Sequence, residues 1–149
     1  MYTIRQYTNE LQNDIICFLE NVFPESGRKL DLDGRHNFLM HITDVYEKFW
    51  CLYDKECLIG TVGVKRIGEQ KCELKTLYLY SSYQGNGLGY QLISTAIEYA
   101  KEMGYMEMYL DTLSTSKRAI HLYESVGFTL TERYNDNFMS EIFMVLKLI

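Results

Sequence analysis

Apolar residues recur at strand spacing, then at helical spacing, then at strand spacing again through the middle of the chain. Residues 74–80 run Leu-Lys-Thr-Leu-Tyr-Leu-Tyr, rich in β-formers and short enough for one buried strand. Ser81, Ser82 and Tyr83 interrupt it, and Gln84-Gly85-Asn86-Gly87-Leu88-Gly89 follows. Leu88, Leu92, Ile93, Ala96, Ile97, Ala100 and Met103 then fall on one helical face. The centre of the chain therefore reads strand, tight polar loop, helix.

The flanks follow the same logic. Residues 2–6 predict a short strand, and Thr8 or Asn9 caps a helix carrying Leu11, Ile15, Ile16, Phe18, Leu19 and Phe23, broken at 24–27. Phe38, Leu39, Ile42, Val45 and Tyr46 suit a second helix within 30–46, preceded by a loop at 31–34. Residues 48–53 and 57–67 predict a hairpin joined by Asp54-Lys55-Glu56, with Gly60 and Gly63 marking close packing or a bulge. Downstream, Gly104 suits a helix C′ position and residues 105–111 alternate as a strand. Residues 112–116 hold several N-caps, and Ala119, Ile120, Leu122, Tyr123 and Val126 predict a short amphipathic helix stopped by Gly127. Final strands are expected at 128–133 and 141–148, around a loop at 134–140. The class is mixed α/β with strand–helix–strand crossings.

Composition narrows the setting. A length of 149 residues suits one domain with a core of its own, spanning 1–149. Hydrophobic content of 47% and charged content of 23% are those of a soluble globular protein. No apolar run approaches the ~20 residues of a membrane span, and the first ten residues lack the apolar core of a signal peptide. Cys17, Cys51, Cys57 and Cys72 show no metal-like spacing with the three histidines. They read as free thiols in a reducing cytoplasm, and no metal is expected. A net charge of −5 argues against a nucleic-acid partner and is compatible with a cationic acceptor.

The glycine-rich loop carries the first chemical signal. A bare backbone feeding a helix N-terminus offers unpaired N–H groups and the positive end of a dipole to an anion. Neither the Walker A run nor the Gly-x-Gly-x-x-Gly frame fits, because the sixth position is Tyr90 from Gly85 and Leu92 from Gly87. A nucleotide-binding α/β domain is thereby disfavoured. Gln84, Gly87 and Gly89 match Gln/Arg-x-x-Gly-x-Gly/Ala, which resembles the acyl-CoA pyrophosphate loop of the GNAT superfamily of N-acyltransferases. Residues 119–128, Ala-Ile-His-Leu-Tyr-Glu-Ser-Val-Gly-Phe, resemble that family's second signature, Ala-Ile-x-Leu-Tyr-x-x-x-Gly-Phe. The resemblance covers roughly 58–148. One departure is Ser116, where the family often has Asn; it either contacts the CoA arm or caps the helix.

The resemblance implies a largely antiparallel mixed central sheet of about six or seven strands with about four flanking helices, and acyl-CoA at a splay between the two central strands. It implies an N-acetyltransferase that moves an acetyl group from acetyl-CoA to a primary amine by direct attack in a ternary complex. Gln84, Gly85, Asn86, Gly87, Leu88 and Gly89 would hold the pyrophosphate. Leu77, Tyr78 and Leu79 would line the pantetheine and thioester, with the Leu79 N–H as oxyanion donor.

An alkyl amine with a pKa of ~10 needs a base at neutral pH, and the leaving thiolate needs an acid. Glu73, 11 residues before Gln84, matches a general-base glutamate in one branch of the family, acting directly or through a water. Its alternative is an edge glutamate paired with Lys71 or Lys75. Tyr123 matches the family's general acid, and its alternative is a core aromatic. His121 reads as surface or packing. Asp111, Thr112, Tyr134 and Asn135 are candidates for the acceptor pocket, though such residues also form turns. The acceptor is a small-molecule or protein amine, and an apolar strand ending the chain could pair across a homodimer. A rival of another class is a non-catalytic acyl-CoA sensor of the same fold.

Overall fold

The computed structural model describes residues 1–149. Strand β1 (Tyr2–Gln6) leads through a 3₁₀ turn into α1 (Gln12–Val22); a single α-turn, α2 (Ile42–Val45), precedes the β2 (Lys48–Asp54)–β3 (Cys57–Arg66) hairpin. Then come β4 (Lys71–Leu79), α3 (Leu88–Glu102), β5 (Glu107–Thr112), α4 (Lys117–Ser125), β6 (Thr129–Leu130) and β7 (Ile142–Lys147). One seven-stranded sheet has the order β1-β2-β3-β4-β5-β7-β6, antiparallel throughout except between β4 and β5.

Helices cover both faces, which is why β2 and β3 read as near-continuous apolar runs. Alternate residues of β2 serve two cores. Phe49, Cys51 and Tyr53 pack with Ile15, Phe18, Leu19 and Phe23 of the α1 layer. Trp50 and Leu52 pack with Leu92, Ile93, Ala96 and Ala100 of α3. The leucine, isoleucine and phenylalanine side chains among them contribute about 1.5–3 kcal/mol each on burial.

Several sequence expectations need correction. Residues 30–46 form no continuous helix: the chain leaves helical geometry at His41 (φ −134°, ψ 47°), between a 3₁₀ turn at Asn37–Met40 and α2. Leu39 and Ile42 are still buried, so two short turns satisfy the pattern that suggested one helix. Thr8 precedes the first turn without a side-chain capping bond. Met103 lies outside the buried face of α3, 57% exposed. The strand expected over 128–133 shortens to Thr129–Leu130. The final apolar strand, β7, pairs with β5 along its length and with the two-residue β6 only at Val145 and Met144.

The strands that position the site are β3, β4 and β5. Opposite Thr61 and Gly63 of β3 stand Tyr78 and Lys75 of β4, so β4 carries one extra residue, a β-bulge. Thr76, within the bulge, takes φ +60°, a left-handed conformation that costs a β-branched residue energy. Two side chains hold it there: Thr61 Oγ1 donates to Thr76 O at 2.8 Å, and the Tyr46 hydroxyl bonds Thr76 Oγ1. The Tyr46 ring fits because residue 63 is glycine; a Cβ there would sit 2.5 Å from Tyr46 Cδ2.

The bulge shifts the alternation by one place. Glu73 and Lys75 before it, and Tyr78 after it, share the α1 face, while Leu74, Leu77 and Leu79 turn to the α3 face. Pairing between β4 and β5 stops after Lys71↔Glu107, Cys72↔Met108 and Glu73↔Tyr109, although both strands continue. A splay opens beyond Glu73, between the two central strands.

Candidate active site

The splay forms a cleft of about 1250 Å³ that passes through the sheet. His36 and Phe38 line it on the α1 side, and Leu77, Leu79, Ala119 and Tyr123 on the α3/α4 side.

At one end lies the glycine loop. Gly85 (φ +90°) and Gly87 (φ +77°) adopt left-handed backbone that only glycine takes freely, and Gly87 is the residue from which α3 starts. Leu88 anchors the helix start at 2% exposure, while Asn86 is exposed. Gln84 reaches back in a long contact, its Nε2 3.5 Å from Leu79 O, and so ties the loop to the end of β4. At Gly89 a Cβ would meet Leu122 Cδ2 at 3.3 Å, so this glycine lets α4 close on α3. Neither α3 nor α4 has an acidic residue in its first turn. Arg118 lies beside the loop, with Nη2 3.9 Å from the position a Gly85 Cβ would take. The loop is thus an open array of amides at a helix N-terminus with a guanidinium alongside, fit to hold a pyrophosphate.

Along β4, the Tyr80 N–H donates to Ile59 O at 3.1 Å. By antiparallel alternation, the N–H and C=O of neighbouring Leu79 point away from β3, into the splay. Tyr123 is 7% exposed, and its hydroxyl has no protein partner. Burial raises its pKa well above the ordinary phenol value, so the O–H stays protonated and free to donate. Its ring packs edge-on against Phe128. Ser116 precedes α4 without a side-chain capping bond and instead accepts a hydrogen bond from Arg28 Nη2 at 3.3 Å. Arg28 Nη1 donates to the Tyr78 hydroxyl at 3.3 Å, so this arginine spans the cleft from β4 to α4. Burial raises the Tyr78 pKa, and Arg28 opposes that rise.

The acceptor-side candidates form one network. Glu73, 4% exposed, accepts hydrogen bonds at Oε2 from the Tyr134 hydroxyl (2.6 Å) and from Asn135 Nδ2 (3.1 Å). Asn135 Nδ2 also donates to Asp111 Oδ2 at 2.7 Å. Asp111 Oδ1 accepts from Asn137 Nδ2 (2.9 Å) and Ser140 Oγ (2.6 Å). Both Asp111 oxygens are thus engaged in fastening loop 134–140 to β5. Thr112, buried beside it, lines the cleft. The lysines flanking Glu73 turn elsewhere: Lys71 Nζ lies 5.6 Å from the Tyr109 ring centroid and Lys75 Nζ 4.6 Å from that of Phe38. The pairing of Glu73 with either lysine is not what the chain adopts. His121 is exposed on α4.

Sequence reasoning missed Arg28, Arg118 and the Tyr46–Thr76–Thr61 brace. Arg118 had a signal: Lys117-Arg118 opens α4, where the dipole disfavours cations unless an anion sits between them. Arg28 had none, because it lies in an aperiodic stretch.

A model of the acetyltransferase (GNAT) family matches residues 9–128. The chain belongs to the GNAT family. An uncharacterized N-acetyltransferase of Schizosaccharomyces pombe is 41% identical over 80 residues, covering 53% of this chain and 49% of the relative. The chain spans about half or less of the length of the curated relatives it matches. Among solved structures, a GNAT-family acetyltransferase from Staphylococcus aureus Mu50 superimposes with a TM-score of 0.90 at 22% identity, covering 100% of each chain. The PaiA N-acetyltransferase of Thermoplasma acidophilum, solved in complex with coenzyme A, superimposes with a TM-score of 0.79 at 20% identity, covering 99% of each. These similarities show that the GNAT fold spans the whole chain. No helix is long and apolar enough to cross a membrane.

Proposed function

We propose that this GNAT protein is an acetyl-CoA-dependent N-acetyltransferase that acetylates a primary amine directly in a ternary complex. One observation carries the reading. A single through-sheet cleft holds a shielded carboxylate, Glu73, and an unpartnered phenol, Tyr123, with an amide cradle at its end. The coenzyme A bound by the Thermoplasma neighbour is consistent with the same ligand here.

In this reading acetyl-CoA supplies an acetyl group on a thiolate leaving group. Gly85, Gly87 and the start of α3 bind the pyrophosphate, and Arg118 neutralises it. The Leu79 N–H, turned into the splay, donates to the thioester oxygen as charge develops there. The amine enters from the Glu73 side. It forms the N–C bond, and its proton passes to Glu73 through Tyr134 or an ordered water, because the carboxylate itself is covered. As the C–S bond breaks, the Tyr123 O–H protonates the departing sulfur. The products are the acetamide and the free thiol of coenzyme A; Glu73 releases the amine's proton to solvent and Tyr123 regains one from solvent, so for an amine that enters neutral the protons balance. A sensor would need neither Glu73 nor Tyr123.

The test is thiol release from acetyl-CoA across a mixed amine library, with Glu73→Gln and Tyr123→Phe alongside. Release with one amine class, reduced in both variants while acetyl-CoA still binds, is the expected result. Acetyl-CoA binding with no release from any amine would overturn the reading in favour of the sensor.

A further inference from the structure

The chain is acidic overall, yet its cleft is not. Eight of its 15 basic residues line the cleft, against four of its 20 acidic ones. Two of those four, Glu73 and Asp111, already accept hydrogen bonds from loop 134–140. The structure has two ion pairs, the N-terminus with Asp54 and Lys147 with Glu107, and neither involves a cleft cation. Positive charge outside any ion pair is therefore concentrated at this cleft of a negatively charged molecule.

The cations divide between the two mouths. Lys117 and Arg118 belong to α4, beside the glycine loop, where they suit the phosphates of coenzyme A. Arg28 spans the cleft from Tyr78 to Ser116, and neither it nor Arg35, Lys65 or Lys75 forms an ion pair. Lys65 stands directly opposite Glu73 in the β3–β4 pairing, and Lys75 follows Glu73 by two residues, so both share its face. Lys75 is held over Phe38, whose ring neighbours His36 at 6.3 Å. Arg28, Arg35 and Lys75 all lie within electrostatic reach of His36. Burial, with Arg35 next, pushes the imidazole pKa down against the opposing charge of Asp31, whose backbone N–H donates to His36 Nδ1 at 3.0 Å, so His36 is neutral with that nitrogen already engaged. Arg28 is anchored by Tyr78 and Ser116 with no carboxylate partner, the pre-organised fork suited to a bidentate oxyanion.

We propose that the Glu73 side of the cleft is an anion subsite, formed by Arg28, Arg35, Lys65 and Lys75 around His36 and Phe38, and that the acceptor is an amine that also bears a carboxylate or a phosphate. This rests on the acetyl-transfer reading for the amine, but on charge placement for the anion. The two demands fit one molecule: Glu73 takes the proton of its amine while the cations hold its acidic group. The subsite disfavours polyamines and other purely cationic acceptors, the class that the net charge of −5 alone would suggest.

The experiment compares matched acceptors: α-amino acids against their carboxamides, and O-phosphoethanolamine against ethanolamine. Thiol release from acetyl-CoA is measured for the unaltered protein and for Arg28→Gln, Arg28→Lys, Arg35→Gln and Lys75→Met. The same acceptors are titrated calorimetrically into protein saturated with coenzyme A, and acetyl-CoA affinity and melting temperature are recorded for each variant. We expect the anionic member of at least one pair to exceed its neutral partner in kcat/KM by about tenfold or more. The pair that shows it separates carboxylate from phosphate. Arg28→Gln and Lys75→Met should collapse that ratio, Arg35→Gln (at an exposed position) should lower it, and Arg28→Lys should keep part of it.

Equal or better use of the neutral partners, with thiol release intact, overturns the subsite and leaves acetyl transfer standing. An intact ratio with weakened acetyl-CoA affinity in the variants overturns it too, by reassigning the cations to coenzyme A. Absence of thiol release from every acceptor removes the transfer reading, and calorimetry then decides the subsite. Preferential binding of the anionic members sustains it, and equal binding removes it.

Discussion

Tyr134 donates its hydroxyl hydrogen to Glu73 Oε2 at 2.6 Å, joining residues 61 positions apart across the mouth of the splay. The phenol covers the carboxylate, which is only 4% exposed and also accepts from Asn135. Burial, with the Glu73 charge next, raises the Tyr134 pKa, so this phenol stays protonated across the working pH range. A base reached through such a phenol should respond to both substitutions. Glu73→Gln is expected to lower kcat/KM by about 10²–10⁴-fold, with partial recovery toward pH ~10, where free amine becomes abundant. Tyr134→Phe should give a smaller loss with a changed pH profile. Initial rates of thiol release between pH 6 and 10 check both.

Tyr123→Phe removes a hydroxyl that has no protein partner and preserves a ring packed on Phe128. Folding stability should therefore change little. Turnover should fall by about 10²-fold, the usual worth of a positioned proton donor, with acetyl-CoA affinity retained. Calorimetric titration and steady-state kinetics separate the two effects, and unchanged turnover would remove Tyr123 from the acid role.

Gly87→Ala places a Cβ on backbone at φ +77° in otherwise open space. The cost is backbone strain of about 1–2 kcal/mol. Relief of that strain would rotate the first amides of α3 away from a bound pyrophosphate. The melting temperature should fall, and acetyl-CoA affinity should fall further than stability alone explains. Thermal melts with and without acetyl-CoA measure both.

Thr61 is fully buried, and its hydroxyl serves the carbonyl of Thr76 inside the β4 bulge. Thr61→Val keeps the shape and removes the donor, leaving the carbonyl of half-buried Thr76 short of a partner, at a cost of about 1 kcal/mol. Because that bond helps to hold the bulge, a raised KM for acetyl-CoA should accompany the lost stability. Chemical denaturation and kinetics on the same preparation give the comparison.

Buried phenols set an alkaline limit on the fold. Burial raises the pKa values of Tyr46, Tyr53, Tyr99, Tyr123 and Tyr134 above the ordinary 10. Their folded-state values lie above their unfolded ones. The stabilising contribution is therefore complete below pH ~10 and is lost as pH rises toward the folded-state values. The melting temperature should hold through neutral pH and fall from about pH 10 upward, as melts in a buffer series would record.

Local signals proved legible and long-range ones did not. The 84–89 loop and the 119–128 stretch are legible because they match residue patterns at fixed short spacings, and Gln84, Ala119 and Tyr123 line one cleft. Tyr134 and Asn135 were readable as cleft residues, but not as partners of Glu73, since that depends on how β7 folds loop 134–140 back over β4. The false helix over 30–46 has the same root: burial of Leu39 and Ile42 mimics a helical period that the backbone breaks at His41. Arg28 and Arg35 sit between the 3₁₀ turns at Phe23–Ser26 and Asn37–Met40, where no apolar period marks them, and net charge concealed them by averaging over the whole surface.

The three residue pairs that join β4 to β5 behave as the short spine of a book. One leaf is β1–β4 with α1; the other is β5, β7 and β6 with α4; α3 is bound across the back. A leaf angle fixed by so short a spine is set partly by whatever lies between the pages. A ligand touching both leaves, as Arg28 does from Tyr78 to Ser116, would act as a clasp that sharpens the unfolding transition as well as raising its midpoint.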